Sequence, residues 1–351
     1  MISALSAGGA ERVMAQMANY WCEARHEVVL VTFSSSSKDD FYPLCPQVER
    51  VCLDFRRETH GWFDKLKFNA FRLFALRHAL TEVRPDAVIS FMDSTNVLTV
   101  LAATSRRYAT ILSVRNNPKF RRLPLMWRLG RRLTYRFATA VVAQTEGAAQ
   151  WIRAETSARV CVIANPVRSV KQSDAPREQF ILAVGRLVPE KGYDLLIRAF
   201  ARVASTFPDW KMIILGDGPL RAPITDWIDQ AGLVGRVEML GITRDVDAWF
   251  SRCGLYVHSS RSEGFPNALI EAMAAGAPVL GCDCDYGPGE IIENGVSGLL
   301  VPAEDEQALA EGLASMIADD ALRARLGQQA PRVRERFDMA QVMKRWEKLI
   351  E

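Results

Sequence analysis

The sequence predicts an α/β protein made of two doubly wound parallel-sheet domains, and three observations predict it. A chain of 351 residues is long for one hydrophobic core and comfortable for two of about 150 residues each. Short apolar runs alternate with helical segments along most of its length, as in repeated strand–helix–strand units. The net charge of +3 also hides two different halves: residues 1–165 carry 23 Lys and Arg against 14 Asp and Glu, and the remainder 21 against 27. The expected division is 1–168, 169–335 and a last segment, 336–351, whose helix at Met339 to Ile350 belongs to the end of the chain.

Composition sets limits. With 49% hydrophobic and 24% charged residues the chain reads as ordinary globular protein, without internal repeats or low-complexity segments. No apolar run approaches the roughly 20 residues that span a bilayer, and the opening lacks a charged-then-apolar leader pattern, so a cytoplasmic location is expected. Seven scattered cysteines without Cys-x-x-Cys pairs read as reduced core thiols.

In order, Met1 to Leu5 reads as the tail of a first strand. The turn Ser6-Ala7-Gly8-Gly9-Ala10-Glu11-Arg12 leads into a helix to about Trp21, and a strand, a glycine turn and a helix start make a weak anion-site signal. Strands follow at Glu27 to Phe33 and Val48 to Leu53, separated by a serine-rich loop at Ser34 to Ser37. From Arg56 to Leu80 the aromatics Trp62, Phe63, Phe68, Phe71 and Phe74 interleave with Arg57, Lys65, Lys67, Arg72 and Arg77. A core helix with a basic edge would read so, and so would an amphipathic helix lying on an anionic membrane. The strand Ala87 to Phe91 leads to Met92-Asp93-Ser94-Thr95-Asn96, and the strand Thr110 to Val114 to Arg115-Asn116-Asn117-Pro118.

Between Ser94 and Thr145 there is no acidic residue but ten basic ones: Arg106, Arg107, Arg115, Lys119, Arg121, Arg122, Arg128, Arg131, Arg132 and Arg136. Such a run implies an anionic partner: lipid phosphate, substrate diphosphate or nucleic acid. Strands at Ala140 to Ala143 and near Arg159 to Ala164 close the first domain, and the polar stretch Ser169 to Glu178 reads as a linker. The second domain then alternates strands at Phe180 to Val184, Met212 to Leu215, Val237 to Leu240, Leu255 to Val257, Val279 to Cys282 and Gly298 to Val301 with helices.

Its chemistry centres on Ser259 to Gly276. Pro266 fits the first position of a helix and Gly276 its C-cap. Glu263 then lies before the helix and Glu271 inside it, one turn beyond Asn267. Free backbone N–H groups of Phe265, Asn267 and Ala268, with the positive end of the helix dipole, favour a phosphate there. A nucleotide-sugar suits this geometry, with Glu263 accepting from the sugar and Glu271 from the ribose. Taken alone, two such glutamates are more often a dipole residue and a solvated helix residue. Gly185-Arg186-Leu187-Val188-Pro189-Glu190-Lys191-Gly192 sets Arg186 and Lys191 on a turn at the carboxyl end of a strand, where open α/β sheets bind ligands. Asp285 to Glu290 reads as another cleft loop.

These residues carry a resemblance. Glu263 and Glu271, with seven residues between them, and the Gly264-Phe265-Pro266 turn resemble the paired-glutamate motif of retaining family-four glycosyltransferases of the GT-B fold. That resemblance implies two Rossmann-like domains facing a cleft, the C-terminal helix crossing back to the first. Arg186 and Lys191 are similar to the family's diphosphate clamp, where cationic groups neutralise the leaving group. Gly185 and Gly216-Asp217 resemble loops that approach the nucleotide, and Gly241 to Arg244 one that contacts the base. Gly8 and Gly9, with Glu11 and Arg12, resemble a Gly-Gly-Ala-Glu-Arg loop at the domain cleft, preceded by a first strand several residues shorter than the family's. The run Ile89 to Asn96, which contains Asp93, and the basic aromatic helix look most like enzymes adding N-acetylgalactosamine to undecaprenyl-diphosphate-linked glycans. Where the family commonly has a sugar-facing histidine, this sequence has Arg115, so that role is unfilled or taken by Arg115 or Asn116.

The expectation is a UDP-sugar donor, a polyprenyl-diphosphate-linked acceptor, an anionic membrane surface met through Lys65, Lys67 and Arg72, and no cofactor or metal. A nucleotide-sugar epimerase shares the fold but calls for first-domain carboxylates and histidines. A basic nucleic-acid-binding protein explains the acid-free run and leaves Arg186, Lys191 and the glutamates unexplained. None of the four histidines receives a role.

Overall fold

A computed structural model describes residues 1–34, 40–55, 61–103, 108–117, 123–167 and 176–351, without the side chain of Trp62. The serines at 35–37, Arg56, Arg57, Arg106, Arg107, Pro118, Lys119, Arg121, Arg122 and the linker residues up to 175 lie outside the described residues. The chain divides into one unit of residues 1–166 with 340–351 and a second of residues 167–339.

The first unit holds two parallel sheets. One pairs β1 (Val29–Thr32) with β2 (Glu49–Cys52); the other runs β3 (Ala87–Phe91), β4 (Ala109–Ser113), β5 (Ala140–Ala143) and β6 (Val160–Val162), in that order. The opening residues tie them together: Ile2 N–H donates to Val31 O at 3.2 Å, Phe33 N–H to Ser3 O at 3.1 Å and Phe91 N–H to Met1 O at 3.0 Å. Met92 to Asn96 does not continue as a loop. Helix Asp93–Ala103 starts there, and its run Val97, Leu98, Val100 and Ala102 packs under the sheet. The C-terminal helix Met339–Glu347 buries Trp346 against Phe91 in this same unit, ring centroids 6.3 Å apart.

The second unit is a six-stranded parallel sheet made of β7 (Glu178–Val184), β8 (Lys211–Leu215), β9 (Val237–Gly241), β10 (Cys253–His258), β11 (Val279–Asp283) and β12 (Leu299–Pro302), in the order β12-β11-β10-β7-β8-β9. Helices cover both faces, so its strands read as continuous apolar runs, with Ile181, Leu182, Ile214, Leu255, Val279 and Leu280 in the core. Winding runs outward from β7 in one direction and from β10 in the other. The crevice at that reversal is where such sheets receive ligands.

The cysteine reading needs correction. All seven are free, but only Cys253, Cys282 and Cys284 are buried; Cys22, Cys45, Cys52 and Cys161, all in the first unit, are partly exposed.

Candidate active site

The charged groups gather on the loops after β7 and β10, at the reversal point. Gly192, φ 65°, ends the first loop and opens the helix Tyr193–Val203. A Cβ there would strike the Ser259 carbonyl, so glycine is what lets the two loops close on each other. Ser259 Oγ donates to Lys191 O at 2.9 Å and Arg261 N–H to Glu190 O at 2.8 Å, while the Arg261 guanidinium grips Asp194 at 2.6 and 2.7 Å. Tied in this way, the loops deliver Lys191 Nζ to Glu263 Oε1 at 2.6 Å.

Glu263 is 8% exposed. Its Oε1 also accepts from Ser260 Oγ at 2.6 Å and lies 3.0 Å from His258 Nε2. Its Oε2 takes no hydrogen bond or ion pair among the described residues, so one oxygen is fixed and the other is available. Burial alone would raise this carboxyl, but the Lys191 ammonium and His258 outweigh it and hold Glu263 well below the usual carboxylate range. His258, fully buried, is pushed down by burial against the pull of Glu263 and stays neutral near pH 7. Tyr256 OH lies 3.3 Å from its Nδ1, completing a line of Tyr256, His258 and Glu263.

Glu271, on the helix Asn267–Ala274, is 5% exposed and not a solvated helix residue. Burial first, then Tyr193, Glu263 and Glu271, raise the Tyr256 hydroxyl, so both carboxylates act on one buried phenol. At the helix start Pro266 is the N-cap rather than the first helical residue. The Asn267 N–H, expected free, donates to Phe265 O at 3.0 Å because the chain turns tightly there. The N–H groups of Phe265 and Ala268 have no backbone partner among the described residues, which leaves two donors where three were expected. The Phe265 ring packs on Phe337, 5.7 Å between centroids, and the partly buried Gly264 precedes it.

Gly185, Gly216 and Gly241 end three neighbouring strands. Gly185 N–H donates to Leu215 O at 2.9 Å and Gly216 N–H to Gly241 O at 2.7 Å. At Gly216, φ 141°, a Cβ would strike the Gly185 carbonyl. Asp217 is exposed and takes the Gly218 N–H at 2.8 Å, and Arg244 is exposed. Arg186 is exposed too, its guanidinium unpartnered among the described residues, so the structure brings Lys191 to Glu263 but not Arg186.

The first-unit candidates divide differently. Gly8 caps the helix Gly9–Glu23, and the Glu11 carboxylate folds back over it, with Arg12 on the next position. Lys65 and Lys67 are exposed on the helix Gly61–Val83. Arg72 is not: its guanidinium lies 3.8 Å over the Phe33 ring, and burial lowers it to about 10. Asp93 is likewise drawn inward, because it opens a buried helix; its Oδ1 lies 3.4 Å from Arg131 Nη1 and 3.3 Å from Tyr135 OH. Arg115 is buried over the Phe91 ring at 3.6 Å, hydrogen-bonded to Asn165 Oδ1, with no carboxylate partner among the described residues, and burial lowers it to about 9. Asn116, half-buried, donates to Met92 Sδ at 3.9 Å. Arg72, Asp93 and Arg115, expected to meet acceptor or membrane, each have a buried partner on their own unit.

Sequence reading missed His258, Ser260 and Tyr256. The signal was period two: positions 256, 258 and 260 of an extended segment share one side, the side from which Glu263 returns.

The chain thus holds parallel α/β units, the second with a lysine–glutamate pair at its winding reversal, and comparisons with known proteins say to which class such a chain belongs. Residues 7–169 match the family Glycosyltransferase Family 4, and residues 168–333 match Glycosyl transferases group 1. The chain belongs to this family of GT-B glycosyltransferases. It is 29% identical, over 100% of its own length and 97% of the relative's, to the Campylobacter jejuni GalNAc-alpha-(1->4)-GalNAc-alpha-(1->3)-diNAcBac-PP-undecaprenol alpha-1,4-N-acetyl-D-galactosaminyltransferase. In fold it is similar to sucrose-phosphate synthase from Thermosynechococcus elongatus, with a TM-score of 0.85 over 99% of this chain and 96% of that one at 19% identity. An Anabaena protein, HepE, solved with UDP and glucose, gives a TM-score of 0.81 over 99% and 97% at 21% identity. Among the described residues no helix is long and apolar enough to cross a membrane.

Proposed function

We propose that this glycosyltransferase is a retaining, metal-independent hexosyltransferase. It moves an N-acetylhexosamine, N-acetylgalactosamine favoured, from a UDP-sugar to a polyprenyl-diphosphate-linked glycan at the inner face of the plasma membrane. The observation that carries this reading is the Lys191–Glu263 pair, 2.6 Å long, with the second glutamate oxygen unspent. Oε2 of Glu263 accepts from a sugar hydroxyl and Glu271 from the ribose. Lys191 and Arg186, with the N–H groups of Phe265 and Ala268, take the diphosphate and neutralise the charge that grows on it as it leaves. The bond from C1 to the phosphate oxygen breaks, the acceptor oxygen bonds C1 on the same face, and the acceptor's proton passes to the departing phosphate. The full-length similarity to an undecaprenol-linked N-acetylgalactosaminyltransferase supports the acceptor class and the sugar. Exposed Lys65 and Lys67 support contact with an anionic bilayer.

The test is release of nucleoside diphosphate from a panel of nucleotide-sugars, with and without a lipid-diphosphate-linked glycan and with chelator. Acceptor-dependent release from UDP-N-acetylgalactosamine that survives chelation is the expected result. Isomerised nucleotide-sugar without acceptor would replace transfer with epimerisation, and loss of release on chelation would overturn metal independence.

A further inference from the structure

We infer that the helix Leu125–Thr134 and the turn Tyr135–Phe137 that continues it form a second surface of the first unit for docking on an anionic lipid bilayer, distinct from the helix Gly61–Val83. It deepens the lipid-linked acceptor reading proposed above and rests on it. Ten of the thirteen large apolar side chains that stand exposed among the described residues fall within residues 63–137. Soluble monomers rarely leave so much apolar surface together without a partner.

Four of them, Leu125, Leu129, Leu133 and Phe137, recur every fourth residue and are 48–68% exposed. Three positions after each of Leu125, Leu129 and Leu133 stands an exposed arginine: Arg128, Arg132 and Arg136. At helical spacing this lays an apolar strip beside a basic one. The opposite side is fixed inward. A Cβ at Gly130 would press on Val97 at 2.9 Å, so glycine lets this helix sit tight on Asp93–Ala103. Arg131, unlike its neighbours, is buried, against Asp93 at 3.4 Å, Glu155 at 3.7 Å and the Trp151 ring at 4.5 Å. Trp127 packs into the core cluster that also holds Leu76 and Leu80 of the helix Gly61–Val83. The inner face being locked, the outer face cannot rotate its leucines away from water.

Charge chooses the occupant. No acidic residue lies between positions 94 and 145, so nothing on this helix repels lipid phosphate. A second copy seated on the strip by a two-fold axis would bring arginines onto arginines. An anionic bilayer meets both strips at once, leucines in the acyl boundary and guanidinium groups among the phosphates.

The test is co-sedimentation of the full chain with phosphatidylcholine vesicles, with and without about one-third phosphatidylglycerol. The variant L129S/L133S/F137S alters only exposed side chains, and its bound fraction should fall about tenfold. R128Q/R132Q/R136Q should lose mainly the salt-sensitive, phosphatidylglycerol-dependent part, and it decides the matter should the serine variant not fold. Transfer to a short, water-soluble acceptor analogue should be unchanged in both. Wild-type sedimentation by either folded variant would overturn the inference, as would a wild-type dimer that the serine variant splits with vesicle binding intact. Loss of binding only on exchanging Lys65 and Lys67 would confine docking to the other helix and leave the proposed transfer standing. Failure of wild type to transfer to the soluble analogue would instead break the functional reading.

Discussion

The loops of the second unit and the helices of the first treat charge in opposite ways. In the second unit, polar groups converge: Lys191, named from sequence, and Ser260 and His258, which were not, crowd one oxygen of Glu263. In the first, Arg72, Asp93 and Arg115 turn inward while Phe63, Phe71, Phe74 and Leu129 face water. The difference teaches that strand-end loops at a winding reversal point their side chains at a ligand, because the sheet fixes where each loop begins. A helix offers two faces, and packing rather than residue type picks the one that is buried.

The sharpest way to break this contrast is a cycle on Lys191 and Glu263. Either E263Q or K191M should lower turnover by about 10²–10³-fold, and the double variant should be little worse than the singles. Additive losses in steady-state kinetics would separate the two residues. Next in size, D93N should remove about 3 kcal/mol of stability, since the buried Arg131 would keep only the more distant and more exposed Glu155 as a charge partner, while activity per folded molecule persists. A fall in acceptor affinity with unchanged denaturant midpoint would return Asp93 to the acceptor site. R186A should cut kcat/KM for the donor by about tenfold without moving the melting temperature, because the side chain is exposed and, among the described residues, unpaired. Smallest is R115M, expected within about 1 kcal/mol of wild type, since a buried guanidinium without a carboxylate is readily exchanged for an apolar chain of similar length.

Acid should sharpen the contrast further. Glu263 is held below its unfolded value, so the stability it adds is complete above the ordinary glutamate range and lost as pH falls through and below it. His258 is also lowered, so the unfolded chain binds protons first and stability falls as pH drops below the ordinary histidine value. The unfolding free energy of wild type should therefore decline on acidification more steeply than that of E263Q or H258L, and parallel curves would remove both groups from the balance.

What the sequence determined by itself was the second unit. Its apolar runs fixed β7 to β11 to within a residue or two, because a central strand buried on both faces, as β10 is, must be apolar throughout. Glycines at 185, 192 and 216 marked places where one backbone leans on another, and Glu263 and Lys191 stood beside them. The helix start was nearly legible; Pro266 fell one position early, as the N-cap, and the Asn267 N–H was spent on a turn that no spacing rule foretells. The ten basic residues from 94 to 145 were legible as a charge, but not as two groups. Tertiary packing alone decided that Arg131 would pair with Asp93 beneath the helix and Arg128, Arg132 and Arg136 would stand outside it. It also decided that His258 would end its strand against Glu263. Sequence states which residues can bury or carry charge, but which of a helix's sides meets a neighbour is settled only when that neighbour is in place.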